Sequence, residues 1–386
     1  MRRRITVLGS TGSVGRSALE VVRRHPERLE VVGLAARGSH PRRLIEQILE
    51  FRPARVAVVD AAAAARVREA IPGGVEVVEG AAGLAELAAD AAADRVLAAL
   101  VGVVGLPAVH AALAAGRDVA LANKESLVVA GALLLGVARR TGARVLPVDS
   151  EHAALHQAMQ GAPADAVHRL VLTASGGPFR LRDEDFAGIT PGEALAHPTW
   201  QMGPRITVDS ATLMNKGFEV IEAVHLFGLP LERVDVVVHP QSQVHALVEY
   251  SDGTWLAQLA PNDMVFPVQY ALGWPERWAS PFERLEPSRL GRLDFEPVDE
   301  QRFPALRLAR EAFRLGPSGP AVLNAADEIA VEAFLAERLP FSAIPGLVAA
   351  VLEDHQPGPV DDLEGALAWD RWGRQRAREL LPRFAA

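Results

Sequence analysis

Short unbroken apolar runs alternate, through the first part of the chain, with longer stretches whose apolar residues recur every three or four positions. RITVLG (4–9), LEVVGLAA (29–36), ARVAVVD (54–60), DRVLAAL (94–100), DVALAN (118–123) and ARVLPV (143–148) have the length and composition of buried strands. Between them, ALEVVRRH, HPRRLIEQILEF (40–51, Pro41 near its first turn) and an alanine-rich segment at 61–70 read as helices. Strands alternating with helices imply an α/β domain with a parallel sheet covered on both faces. The period changes after Val148. HRLVLTAS (168–175), DVVVHP (235–240), VHALVEY (244–250) and TWLAQLA (254–260) read as strands among helices, with a hairpin signal at SDGT. Residues 276–304 are rich in Pro and Arg without clear period, a surface linker. From 305 the pattern is helical, ending in a helix near 362–381. The expected domains are therefore 1–148 (α/β), 149–275 (α+β), the linker, and a C-terminal helical domain at 305–386.

Composition adds limits. The chain has 386 residues, 49% of them apolar, enough for several cores and against wholesale disorder. The formal net charge of −8, without a long basic run, argues against nucleic acid as the main partner. No stretch reaches membrane-spanning length, and the apolar run after the first arginines is too short for a signal peptide. There is no cysteine, which excludes disulfides and thiolate metal sites and is compatible with the cytoplasm. Of 40 cationic residues only Lys124 and Lys216 are lysine, and both follow asparagine, in NKES and NKGF. A lysine among so many arginines suggests a need for a compact, mobile ammonium.

Gly9, Gly12 and Gly15 lie between the first strand and the first helix. Small residues there let a pyrophosphate approach the backbone at a helix N-terminus, so the first domain reads as Rossmann-like and dinucleotide-binding. The second strand ends in Ala36, Arg37, Gly38, Ser39 and His40, with no carboxylate for a ribose diol. Arg37, Ser39 and His40 suit a 2′-phosphate, which favours NADP.

A second candidate site begins at LPVDSEHAALHQ, where Asp149 and Glu151 follow the sixth expected strand. Two residues apart on an extended chain, they would point the same way. Their hard oxygens suit Mg²⁺ or Mn²⁺ better than His152 and His156 suit zinc. Helix capping by Asp149 or Ser150 is the plainer alternative. Residues 208–228 read as one helix, capped by Asp209 or Ser210 and ending at Gly228. Asn215, Glu219 and Glu222 share its polar face, with Lys216 nearby; spacing does not choose between the two glutamates. A helix start with hydroxyls and a lysine suits phosphate. The loop from Ser175 to Pro204 has the composition of a lid, with Trp200 able to cover a ligand.

GSTGSVG, ANKES, VDSEH, TASGGPF, HPTW, VDSATLMNKGFE and HPQSQVH, in this order, together resemble the 1-deoxy-D-xylulose 5-phosphate reductoisomerase family over nearly the whole chain. The resemblance implies an NADPH- and divalent-metal-dependent enzyme (Mg²⁺, Mn²⁺ or Co²⁺) of non-mevalonate isoprenoid synthesis. Its substrate would be a small phosphorylated sugar, its product 2-C-methyl-D-erythritol 4-phosphate, and its form a cytoplasmic homodimer. It implies Asp149, Glu151 and Glu219 as metal ligands. The implied substrate residues are Ser150, Glu151, Ser175, His197, Trp200, Ser210, Asn215, Lys216 and Glu219. The implied cofactor residues are Thr11, Gly12, Ser13, Val14, Gly38, Ser39, His40, Asn123, Lys124, Glu125 and Gly203. Lys124 would be a fixed charge near metal and nicotinamide, and His197 part of the lid; both count among the catalytic residues with the three ligands.

The chain departs from the family pattern in places. Ser39 and His40 stand where some members carry Lys-Asn, Thr199 where Asn is common, and Pro204 where a basic residue is common. Asp327 stands in NAADE where the pattern has Asn. Rival readings are another NADP-linked dehydrogenase of a small phosphorylated or semialdehyde substrate, an NADP sensor without turnover, and a zinc hydrolase. Retained activity after chelation would favour the first rival.

Overall fold

In the computed structural model, residues 2–182, 186–200 and 202–385 are described. Residues 183–185 and 201, within the expected lid, lie outside them. The chain forms two compact units: Met1–Ser126 with Leu134–Ala153 and Asp263–Arg284, and Leu127–Leu133 with Ala154–Asn262 and Leu285–Ala386.

The first unit opens with β1 (Arg3–Leu8), α1 (Ser13–Arg24), β2 (Leu29–Ala36), α2 (Pro41–Phe51), β3 (Arg55–Val58) and α3 (Ala61–Ala70). It continues with β4 (Glu76–Glu79), α4 (Gly80–Ala89), β5 (Arg95–Ala98), α5 (Leu106–Ala114) and β6 (Asp118–Leu121). Then come α6 (Lys124–Thr141), β7 (Val145–Pro147) and α7 (Ser150–Ala158), parts of which count with the second unit. The seven strands pair in parallel in the order β4-β3-β2-β1-β5-β6-β7. The expected alternation is therefore present. The strand before Asp149 is the seventh, because β4 adds an edge strand that the apolar pattern did not flag. The order reverses between β1 and β5, and ligands of such sheets bind at that point, outside the strands' carboxyl ends. Ile5, Val7, Leu34, Val56 and Leu97 are fully buried in its core.

The second unit holds β8 (Val167–Ala174), α8 (Pro191–Ala194), α9 (Pro204–Thr212), α10 (Met214–Phe227), β9 (Val234–Val238), β10 (Val244–Tyr250) and β11 (Trp255–Leu259). The chain then lends α11 (Val265–Gly273) to the first unit, where buried Arg95 donates to the carbonyls of Ala271 (2.6 Å) and Leu272 (3.0 Å). It returns as β12 (Glu296–Pro297), α12 (Ala305–Arg314), α13 (Gly319–Leu335), α14 (Ile344–Glu353) and α15 (Leu363–Leu380). The second sheet runs β11-β10-β8-β9-β12; only β8 and β9 are parallel. SDGT makes the expected hairpin, with Gly253 at φ +82°. Helix α13 is buried along almost its whole length, among α9, α12, α14 and α15.

Two local readings need correction. Residues 208–228 are not one helix: Leu213, at φ +64°, ends α9 and starts α10, so Ser210 lies near the end of one helix and Asn215 at the start of the next. Gly228, at φ +68°, does end α10 as expected. The stretch 175–204 is not loop throughout, since Thr190 and Glu193 form a reciprocal cap on α8. Among the described residues no helix is long and apolar enough to cross a membrane.

Candidate active site

The glycine turn is built by exclusion. At Gly9, φ is +85° and a Cβ would sit 2.3 Å from the carbonyl oxygen of Ala99; at Gly15 a Cβ would meet the oxygen of Gly9 at 2.2 Å. Only glycine allows the strand to turn this tightly into α1. The helix begins after Gly12 with no side-chain cap and no acid in its first turn, which leaves its N–H groups and positive dipole end available to an anion. Thr11, Gly12, Ser13 and Val14 form this entry, half-buried or exposed. Gly38, at φ +113°, turns the chain after β2, and Ser39 and exposed His40 lead into α2. Arg37 is exposed beside them. Beyond β6, buried Asn123 donates to the oxygens of Leu100 (2.8 Å), Gly102 (3.1 Å) and Glu125 (2.6 Å). Glu125 in turn accepts from the Gly102 N–H at 3.0 Å, so Asn123 and Glu125 clamp the loop after β5. Apart from Gly203, the expected cofactor residues thus follow β1, β2 and β6, at the carboxyl ends of one parallel sheet.

The carboxylates after β7 are not on an extended chain. Helix α7 starts at Ser150, and the Asp149 carbonyl accepts the Ala153 N–H at 2.8 Å, so Asp149 and Glu151 flank a helix start. Ser150 Oγ donates to Glu151 at 2.6 Å. Buried Lys124, at the start of α6, forms an ion pair with Asp149, and His152 Nδ1 lies 3.2 Å from the same carboxylate. Burial works against the charge on Asp149, but Lys124 and then His152 outweigh it and hold the carboxyl well below the usual range. Asp149 is therefore an ionised oxygen donor. The zinc reading of His152 and His156 gains nothing, because no group of candidate metal ligands among the described residues contains His156.

In the second unit, Gly176 (φ +84°) and Gly177 (φ +66°) turn the chain after β8, and a Cβ on Gly177 would come 2.8 Å from the Ser210 carbonyl. That close approach gathers three side chains. His197 Nε2 lies 3.0 Å from Ser175 Oγ and 3.1 Å from Ser210 Oγ. The ring's state follows from its other edge: Nδ1 accepts N–H bonds from Thr199 (3.2 Å) and Trp200 (3.0 Å). Nδ1 therefore carries no proton, and the proton sits on Nε2, facing the two hydroxyls. Burial, then Lys216, lowers the His197 pKa, in keeping with a neutral ring. Trp200 is half-buried, 6.4 Å from the ring of His245. Gly203 sits just before α9 and accepts from Thr207 Oγ at 2.8 Å.

On α10, Lys216 donates to Glu219 Oε2 at 2.6 Å and Asn215 donates to Oε1 at 2.7 Å. Lys216, Glu219 and Glu222 are buried, so the expected polar face is interior rather than solvated. The helix can pack this closely because of Gly217, where a Cβ would stand 2.6 Å from that of Ala309 on α12.

Some contacts that hold these residues were not anticipated. Ser10 Oγ donates to Gln47 Oε1 (2.8 Å) and Gln47 Nε2 returns to the Ser10 carbonyl (2.9 Å), which ties the glycine turn to α2. The available signal was a polar residue in the apolar stripe of an amphipathic helix. Arg205, between Gly203 and Ser210, pairs with Glu328 at 2.9 Å, with no local signal.

With this geometry in view, comparison with known proteins is specific. Residues 5–131 match the family described as 1-deoxy-D-xylulose 5-phosphate reductoisomerase, residues 145–227 its C-terminal domain, and residues 259–376 the DXP reductoisomerase C-terminal domain. The 1-deoxy-D-xylulose 5-phosphate reductoisomerase of Anaeromyxobacter sp. (strain K) is 53% identical over 98% of this chain and 97% of its own. That of Thermomicrobium roseum is 53% identical over 99% of each. The Zymomonas mobilis enzyme, solved in complex with NADPH, superposes with a TM-score of 0.92 at 42% identity, over 98% of both chains. A DOX-P reductoisomerase solved with NADPH, fosmidomycin and magnesium gives 0.93 at 40%, again over 98% of both.

Proposed function

Because the chain belongs to the 1-deoxy-D-xylulose 5-phosphate reductoisomerase family, we infer that it converts 1-deoxy-D-xylulose 5-phosphate to 2-C-methyl-D-erythritol 4-phosphate, using NADPH and a divalent cation. The observation that carries the residue assignment is the state of the two lysines. Each is buried against a carboxylate expected to bind metal, Lys124 against Asp149 and Lys216 against Glu219.

We propose that Asp149, Glu151 and Glu219 hold the cation. The donor set is all oxygen and contains an acid kept ionised by its neighbours, which suits magnesium, with manganese and cobalt as substitutes. The glycine turn suits a pyrophosphate for a separate reason: its backbone is bare where a Cβ would collide, and α1 offers uncapped N–H groups. When bound, NADPH supplies the hydride and the cation polarises the substrate's ketone and neighbouring hydroxyl oxygens.

The remaining work falls to side chains. Ser175, Ser210, Asn215 and Lys216 take the substrate phosphate, joined by the Nε2 proton of His197. Charge-assisted bonds from Lys216 contribute most to that affinity. Ser150 keeps Glu151 oriented toward the substrate end. Lys124 provides fixed positive charge where negative charge develops, at no cost in reorganisation. His197 and Trp200 belong to a lid that excludes water from the aldehyde intermediate. Thr11 to Val14, Gly38 to His40, Asn123 to Glu125 and Gly203 receive NADPH; Arg37, Ser39 and His40 are the groups available to its 2′-phosphate. The same reading makes the enzyme a cytoplasmic homodimer.

The test is loss of NADPH absorbance with 1-deoxy-D-xylulose 5-phosphate in Mg²⁺, then after chelation, then after Mg²⁺ is restored. Metal-dependent, reversible consumption is expected. NADPH consumption that persists through chelation would defeat the metal assignment, and binding of NADPH without turnover would defeat the substrate.

A further inference from the structure

The Pro- and Arg-rich stretch before α12 holds the turn that follows β8. Three carbonyls of that turn converge on one guanidinium. Arg302 donates through Nη1 to the Arg180 carbonyl at 3.2 Å, and through Nη2 to that of Phe179 at 3.3 Å and to that of Arg182. Its charge also lies 5.4 Å from the ring centre of Phe303 and 5.7 Å from that of Phe186. The backbone of Arg302 is itself fixed, since Asp299 accepts the N–H groups of Gln301 and Arg302, each at 3.1 Å. The turn closes on itself where the Arg182 N–H meets the Phe179 carbonyl at 3.1 Å. Phe179 is buried but Leu181 is 75% exposed, so the outer half of the turn is held by its carbonyls rather than by packing.

A second contact braces the same segment. Arg180 Nη1 donates to both oxygens of Glu296, each at 2.8 Å. Glu296 is on β12, opposite Val238 of β9. Arg180 and Val238 both crowd Gly176, where a Cβ would stand 2.5 Å from Arg180 Cδ and 3.0 Å from Val238 Cγ1. Ser175 comes directly before this glycine. Its Oγ accepts the Gly177 N–H at 3.2 Å and faces His197 Nε2 at 3.0 Å.

We propose that Arg302 is a positioning residue for the phosphate end of the substrate. By binding the carbonyls of Phe179, Arg180 and Arg182 it fixes the Gly176-Gly177 turn, and with it Ser175 against His197 and Ser210. The site of action rests on the reading above that Ser175 and Ser210 take the substrate phosphate. A guanidinium presents donors on both prongs of a rigid plane and serves several carbonyls at once; an ammonium is a single point. Without that fork the turn would be ordered only as substrate binds, and the ordering would be charged against affinity. A phosphate held alike in ground and transition states makes that loss appear in KM rather than in kcat.

The experiment compares the full-length enzyme with Arg302→Lys, which keeps the charge, and Arg302→Gln, which keeps one amide donor. Hydrogen exchange is followed without substrate, and KM and kcat are measured for 1-deoxy-D-xylulose 5-phosphate and NADPH. In both variants amides between Gly176 and Arg182 should lose protection several-fold, while those of β8 and α13 match the wild type. KM for the sugar phosphate should rise about tenfold, with kcat within about threefold and KM for NADPH unchanged. Wild-type exchange in the turn, or full rescue by Arg302→Lys, would overturn the anchoring by the fork. A loosened turn with wild-type KM would overturn the positioning role. Exchange raised throughout the second unit, or failure of both variants to fold, would overturn it too, because Arg302 would then support the whole unit. If the wild type leaves the sugar phosphate unchanged, the functional reading falls and the role toward phosphate falls with it, while exchange still decides whether Arg302 anchors the turn.

Discussion

The two lysines stand in the same Asn-Lys dipeptide, each buried against an acid, yet their asparagines do different work. Asn123 turns away from the ion pair: it donates to Leu100 and Gly102 and accepts from Ser126, holding the loop after β5. Asn215 joins its lysine on the same acid, Glu219. The cause is position relative to a helix. Asn123 precedes the first turn of α6, where its side chain reaches across to the loop after the neighbouring strand β5. Asn215 is inside α10, four residues before Glu219, and shares its face. The dipeptide marks the place; the offset from the helix start decides whether the amide supports the scaffold or the acid.

The most disruptive test of that contrast is Lys124→Met. It leaves Asp149 charged, half-buried and without its lysine, so stability should fall by up to about 3 kcal/mol in denaturant unfolding. Turnover should fall about 10²- to 10³-fold with the loss of a preorganised charge. Lys216→Met should act chiefly on substrate binding, with kcat/KM down roughly 10²-fold and most of the change in KM. Lys216→Arg should recover little, since the planar fork does not fit a site built for a compact ammonium. The asparagines then separate. Asn123→Ala should cost about 2 kcal/mol, because it orphans buried carbonyls. Asn215→Ala should cost less stability and appear in metal and substrate affinity; equal stability losses would erase the distinction.

The smallest effect concerns the histidines. His152 lies beside an acid and His197 near a lysine. A base whose folded pKa is depressed contributes stability present above its unfolded pKa and lost as pH falls through the folded one. ¹⁵N-labelled His197 should titrate below the usual histidine value, with the Nε2–H tautomer dominant at neutral pH. A doubly protonated ring at pH 7 would remove it as a neutral donor.

Much of the first unit was legible because its signals are local. Helix α3 lies where the alanine run ends in VREA, and β2 is apolar apart from the exposed Glu30, with both its end residues buried. Strand β4 was not legible, because EVVE offers two half-buried valines at the sheet edge. The break at Leu213 was hidden for the opposite reason: apolar spacing continues across it, and a positive φ at leucine carries no composition signal. Asp149 and Glu151 flank the start of a helix, whereas the apolar run before them reads as a strand that carries on through both. The glycine turn could be read because a Cβ cannot fit there. The ion pair of Arg205 with Glu328 could not, since it joins helices more than a hundred residues apart.

The most direct measurement is Mn²⁺ binding, followed by electron paramagnetic resonance, in wild type, Asp149→Asn and Glu219→Gln. One site per chain is predicted in the wild type, with most of its affinity lost in each variant, because the assignment gives both acids to the same cation. Wild-type affinity in both variants, or two independent sites each removed by one substitution, would contradict the assignment.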